Sequence, residues 1–192
     1  MKFGITGVNA GRRTQASRAA MLARMAEEAG FESLWAVEHV VVPTGYRSQY
    51  PYSEDGKMPG REDIAIADPL VWLSYVAAVT ESIMLATGIV ILPQRNPVLL
   101  AKECASLDVL SNGRLILGIG IGWLEEEFRA LGVPFEDRAA RTDEYAAAMR
   151  VLWEDDEPTF DGRFASFEKA LSYPKPARSI PLVVGGHSEA AA

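Results

Sequence analysis

Apolar and polar positions alternate between two periods along this chain, and the switches between them mark its elements. Residues 83–92 form a near-continuous apolar run, the pattern of a parallel strand buried on both faces. Asn96-Pro97 then pairs an N-cap residue with proline at the first helical position, and the helix it opens stops at Ser111-Asn112-Gly113. A second apolar run begins at 115–121, so this stretch predicts a right-handed βαβ unit. The same reading predicts strands over 3–8, 33–40 and 180–184, and helices over 17–30, 70–80 and 139–153. In the first helix Leu22, Met25, Ala26 and Ala29 share one face; in the last, Tyr145, Ala148, Met149 and Leu152 do. Asp68-Pro69 repeats the cap-plus-proline start. Glu125–Glu127 place three acids in the first turn of a short helix ending at Gly132-Val133-Pro134, where they complement the helix dipole. Asp161-Gly162, between Phe160 and Phe164, predicts a hairpin. Residues 43–67 show no periodicity and are too long for a simple connection; Tyr46, Tyr50 and Tyr52 within them favour an ordered lid.

Alternating strands and helices without an antiparallel core imply a parallel α/β protein, and both a barrel and an open doubly wound sheet fit. In either, the carboxyl ends of the strands are where chemistry is expected. Gly118-Ile119-Gly120-Ile121-Gly122-Trp123 is not a dinucleotide fingerprint, because Trp123 stands where the third glycine belongs. Its glycines lie inside the strand, where they mark close backbone approach or a barrel corner.

At 192 residues the chain suits one domain rather than two. Its 48% hydrophobic and 23% charged content is that of a soluble globular protein. A net charge of −7 without a basic tract argues against a nucleic-acid partner. The single cysteine, Cys104, lies in an apolar helix and reads as a buried inert thiol, with no internal disulfide and no cysteine-rich zinc site. The two histidines, His39 and His187, lack metal-ligand spacing, and no GxSxG elbow is present. No apolar run approaches the ~20 residues that cross a bilayer, and the start MKFGITGV does not read as a signal peptide. A cytoplasmic protein with no membrane partner is the expectation.

The strings SLWAVEHVVVP, YPYSEDGKMP, DPLVWLSYVAAVT, ATGIVILPQRNPVLLAKECASLDVLSNGR, LGIGIGWLEEEFRALGVPFEDRAARTDEY and IPLVVGGHS carry a resemblance over nearly the whole chain. In this order they resemble the bacterial luciferase-like family of flavin and deazaflavin oxidoreductases, most of all its F420-dependent branch. The resemblance implies an α/β fold of the (β/α)8 TIM-barrel type, in one domain over 1–192. A full barrel needs about 250 residues, so this one is expected to be incomplete, with about five of its eight strands present. Strands 3–8 and 180–184 would then both be open edges, which invite association. A homodimer, a natural fragment and a truncated gene are all compatible with that.

The resemblance also implies a site. His39 would sit by the reactive face of the coenzyme ring and exchange a proton, as an imidazole at a strand mouth can; a lone histidine hydrogen-bonded to a loop is the competing reading. Gly88-Ile89 would form a cis bulge behind the ring. Gly185, Gly186, His187 and Ser188 would hold the coenzyme phosphate as an anion nest. Glu126 would touch ring or ribityl hydroxyls, against the plainer reading of a solvated helix acid. Trp123 lines the pocket or packs, Arg95 meets the anionic coenzyme tail, Asn96 caps a helix, and Glu38 pairs with an arginine or lysine. The implied activity is hydride transfer between coenzyme F420 and a small organic substrate. An FMN-dependent two-component monooxygenase and a non-catalytic half-barrel are the alternatives.

Overall fold

The computed structural model describes residues 1–186. His187 and Ser188, both expected at the coenzyme phosphate, lie outside the described residues. The elements run β1 (Gly4–Thr6), α1 (Ala16–Glu28), β2 (Ser33–Ala36), α2 (Pro69–Ala77), β3 (Met84–Thr87), β4 (Val90–Ile91), α3 (Pro97–Leu110), β5 (Leu115–Gly120), α4 (Glu125–Ala130), α5 (Arg138–Glu154), β6 (Phe160–Asp161), β7 (Ser166–Phe167) and β8 (Leu182–Val184).

The sheet is parallel, with β1 beside β2, β2 beside β3, β3 and β4 beside β5, and β5 beside β8. Among the described residues the outer edges of β1 and β8 pair with no further strand of this sheet. The fold is thus an α/β parallel barrel that is incomplete, as the sequence predicts.

The apolar run 83–92 is not one strand. Ala86 pairs with Ile116 and Val90 with Ile119. Four residues therefore advance on one strand against three on its partner, which defines a bulge. A 3-10 turn, Leu92–Gln94, takes the remainder of the run. Gly118 makes the close approach possible: a Cβ there would lie 2.0 Å from the Thr87 carbonyl oxygen. The Thr87 hydroxyl in turn donates to the Gly118 carbonyl at 2.7 Å.

Both cap-plus-proline starts form as expected. The Asp68 carboxylate accepts from Val71 N–H at 3.0 Å, and the Asn96 side chain accepts from Val98 and Leu99 N–H. Leu73, Leu85, Leu100, Leu115, Leu117, Met149 and Leu152 meet in the core between the sheet and α2, α3 and α5.

The predicted face of α1 needs correction. Ala19, Ala23 and Ala26 are buried with Leu22 packed beside them, whereas Met25 is 59% exposed and Ala29 is exposed. Small side chains at i, i+4 and i+7 let the helix backbone lie close to its neighbours, and a tally of apolar weight overlooks such a stripe. The hairpin of β6 and β7 also turns over more residues than Asp161-Gly162 alone suggests. Its connection, 162–165, is tied down by the Glu144 carboxylate, which accepts from the N–H groups of Arg163, Phe164 and Ala165.

Candidate active site

The site begins where β2 ends. Buried Asn9 accepts from Val37 N–H at 2.8 Å and donates to Val37 O at 2.7 Å and Ala67 O at 2.6 Å. Its amide thus substitutes for a strand partner and carries the order of β2 beyond Ala36. Glu38 and His39 follow, and they meet different partners.

Glu38 is buried in an ion-pair cluster. It accepts from Ile91 N–H at 2.5 Å and from Arg95 Nε at 2.9 Å, and Arg95 Nη2 bridges it to Asp68 at 2.6 Å. Burial pulls the Arg95 pKa down, but Glu38 and Asp68 more than offset it, so the net shift is upward. Glu38 pairs with an arginine as anticipated. Arg95 is held by Glu38 and Asp68, with Glu103 3.9 Å away, rather than being left for an anionic coenzyme tail.

His39 lies with Nδ1 3.0 Å from Glu127 Oε2. Glu127 is fully buried, and its other oxygen accepts from Val40 N–H at 2.6 Å and Val41 N–H at 3.2 Å. The imidazole meets Trp123 edge-on, with ring centroids 5.8 Å apart and planes at 84°. Trp123 also contacts Tyr46 at 5.3 Å and Tyr50 at 5.2 Å, and Tyr50 contacts Tyr52 at 5.4 Å. One indole therefore joins the histidine to the tyrosines of residues 43–67.

Glu126 holds that segment in place. Its carboxylate accepts from Arg47 N–H at 2.7 Å, Ser48 N–H at 3.3 Å and the Ser48 hydroxyl at 2.6 Å. The Ser48 hydroxyl, then the Arg47 N–H, hold its pKa down at about 2. The structure thus engages Glu126 with the loop backbone and the Ser48 hydroxyl. Segment 43–67 is ordered by these contacts, with the Tyr46 hydroxyl accepting from Met58 N–H at 2.8 Å.

The Gly88–Ile89 peptide bond is cis, as the resemblance implies. The Ile89 side chain sits in a seat lined by glycines. A Cβ at Gly120 would come within 2.8 Å of Ile89 Cδ1, and one at Gly185 within 2.6 Å of Ile89 Cγ2. Gly185 N–H donates to Ile119 O at 2.8 Å, so it extends the sheet instead of opening an anion nest.

The structure brings His39, Trp123 and segment 43–67 together, and joins Gly88-Ile89 to Gly185 through the Ile89 side chain. Glu127 and Asn9 are additions that sequence reasoning missed. Glu127 carried a signal: buried Leu124 and Phe128 lie three residues before and one after it, which puts it on the inner face of α4. Among the described residues no cluster of three or more acids, histidines and cysteines suits a metal ion, and no helix is long and apolar enough to cross a membrane.

The chain is 38% identical over 167 residues to an uncharacterized protein of Mycobacterium tuberculosis, covering 86% of this chain and 59% of that protein. It is 34% identical over 164 residues to the F420-dependent glucose-6-phosphate dehydrogenase of Kineococcus radiotolerans, covering 83% and 43%. To the FMNH2-dependent dimethylsulfone monooxygenase of Pseudomonas fluorescens it is 31% identical over 173 residues, covering 88% and 43%. Among solved structures, monooxygenase RslO1 from Streptomyces bottropensis superposes with a TM-score of 0.75 at 30% identity, over 96% of this chain and 53% of that one. An F420-dependent secondary alcohol dehydrogenase gives 0.75 at 26% identity, over 96% and 52%. The chain thus spans less than two thirds of the length of these proteins. Its residues 1–192 match the luciferase-like monooxygenase family throughout, and the chain belongs to that family.

Proposed function

We propose that this chain serves an oxidoreductase that uses coenzyme F420 for hydride transfer to or from a small organic substrate. Members of its family work with either F420 or FMN, as the relatives from Kineococcus and Pseudomonas illustrate. The observation that carries the reading is His39, fixed on buried Glu127 at the carboxyl end of β2 and flanked by Trp123. Hydride transfer at an alcohol or carbonyl needs an accompanying proton, and an imidazole at the mouth can exchange one near neutral pH.

The seating of the bulge supports a coenzyme ring at this place. The glycines at 120 and 185 leave the room that Ile89 fills, which seats the bulge at 88–89 within the sheet. Gly88 and Ile89 would back the ring, and Gly186, with His187 and Ser188, would hold the phosphate. Bound there, the coenzyme supplies the hydride chemistry. His39 exchanges the proton. Trp123 and Tyr50 wall the mouth, and segment 43–67, clamped by Glu126, excludes water and selects the substrate.

Titration of the purified chain with F420 and with FMN tests the choice of coenzyme; FMN binding without F420 binding overturns it. With F420 and the probe pair isopropanol and acetone, His39→Ala is expected to lower turnover at saturating substrate about 100-fold or more, with coenzyme affinity retained. Unchanged turnover removes the proton role. Absence of turnover with either reduced coenzyme favours a non-catalytic half-barrel.

A further inference from the structure

We infer that Glu127 is a positioning residue for His39, holding the imidazole in its Nδ1–H tautomer so that Nε2 is the ring atom that exchanges a proton. The inference rests on the proposed role of His39.

Three acids stand in a row at the start of α4, and they part company completely. Glu125 pairs at the surface with Arg129 at 3.0 Å, Glu126 grips the loop backbone, and Glu127 is withdrawn from solvent altogether. A carboxylate is unfavourable in such a place unless donors converge on it, and two backbone N–H groups do. Val40 and Val41 N–H both reach Oε1. That pair of bonds fixes the plane of the carboxylate and pins Oε2 against His39 Nδ1, 3.0 Å away. A carboxylate oxygen only accepts, so Nδ1 must carry the hydrogen, and in the neutral ring Nε2 is then the acceptor. The edge-on Trp123 ring resists rotation of the imidazole.

A purely structural Glu127, one that only ties residues 40–41 to α4, is separated from this by Glu127→Gln. The amide oxygen keeps the two backbone N–H groups, so the amide nitrogen is turned toward Nδ1. A donor now faces the ring, and Nδ1 has to accept. The anchoring survives while the tautomer inverts.

The measurement is a two-bond 1H–15N correlation spectrum of the imidazole, taken on the full chain at mildly alkaline pH without coenzyme. The chain has two histidines, so a His187→Gln background leaves the signal of His39 alone. The expected result is Nδ1–H in that background and Nε2–H once Glu127→Gln is added. An Nε2–H ring or a rapid mixture in the background, or one pattern shared by both proteins, overturns the inference. Should Glu127→Gln not fold, the background spectrum alone decides between these outcomes. In turnover with F420 and isopropanol, Glu127→Gln is expected to lower kcat about 10-fold or more while the F420 Kd stays within about twofold. A parallel loss of coenzyme affinity overturns the positioning role. An Nδ1–H ring in the His187→Gln background, together with no F420 binding by the unaltered chain, supports the assignment of Glu127 and defeats the functional reading instead.

Discussion

Arg114 and His39 occupy opposite rims of one sheet, and they differ in how fully protein partners occupy their nitrogens. Arg114, at the amino end of β5, is only 7% exposed. Its Nε donates to Ser111 O, its Nη1 to Thr80 Oγ1 and Ile83 O, and its Nη2 to Ala77 O and Thr80 O. A guanidinium has five N–H donors, so every one is used. Burial pulls its pKa down, but those acceptors hold the cation in place as a staple between α2, α3 and the sheet. His39, at the carboxyl end of β2, has one ring nitrogen taken by Glu127; among the described residues no protein group is hydrogen-bonded to the other. A guanidinium with every donor engaged can only hold its place, which fits Arg114 to a structural role; the proton role of His39 is the proposal made above.

The strongest way to break this contrast is at the staple. Arg114→Leu leaves several buried carbonyls without donors and is expected to lower unfolding stability by about 3 kcal/mol, read from urea denaturation. A loss below about 1 kcal/mol would put Arg114 on the same footing as an ordinary surface residue.

The next test lies in acid, at the loop clamp. The folded pKa of Glu126 is held at about 2, below its ordinary 4.5. A depressed carboxyl contributes stability above its unfolded pKa and loses it as pH falls through the folded one. The clamp should therefore be whole above about pH 4.5 and progressively released toward about pH 2. Pepsin cleavage within 43–67, normalised at each pH to that of an unstructured peptide of the same sequence, should rise across that window and be flat with pH in Glu126→Gln. A flat profile in the unaltered chain would remove Glu126 as the clamp. The smallest effect belongs to the first acid of the row: Arg129→Ala, which frees exposed Glu125, is expected to change stability by less than about 0.5 kcal/mol, within the reproducibility of the same denaturation curves.

Much of the fold was readable because its signals are local. Asn96-Pro97 and Asp68-Pro69 start helices through contacts two or three residues away. Asn112 and Gly113 end α3 with positive φ values of 56° and 76°. Near the candidate site the resemblance agrees with the structure at the bulge, where Gly88–Ile89 is cis. Glu125, Glu126 and Glu127 present the same letter three times, and what distinguishes them is contributed by partners far along the chain. Ser48 lies 78 positions from Glu126, and His39 lies 88 from Glu127. The inner face of α1 was read correctly at Leu22 and Ala26 but not at Met25 and Ala29, since close packing there favours small side chains at 19 and 23.

The seat of Ile89 has a consequence for how this sequence can change over time. Positions 89, 120 and 185 share one small volume, filled by a branched side chain from the first and by nothing from the other two. A methyl group added at 120 or 185 competes for the space that Ile89 already fills. Trimming Ile89 alone would leave a void beside two glycines. The three positions are therefore coupled in volume: a side chain fits at 120 or 185 once the one at 89 is reduced or displaced.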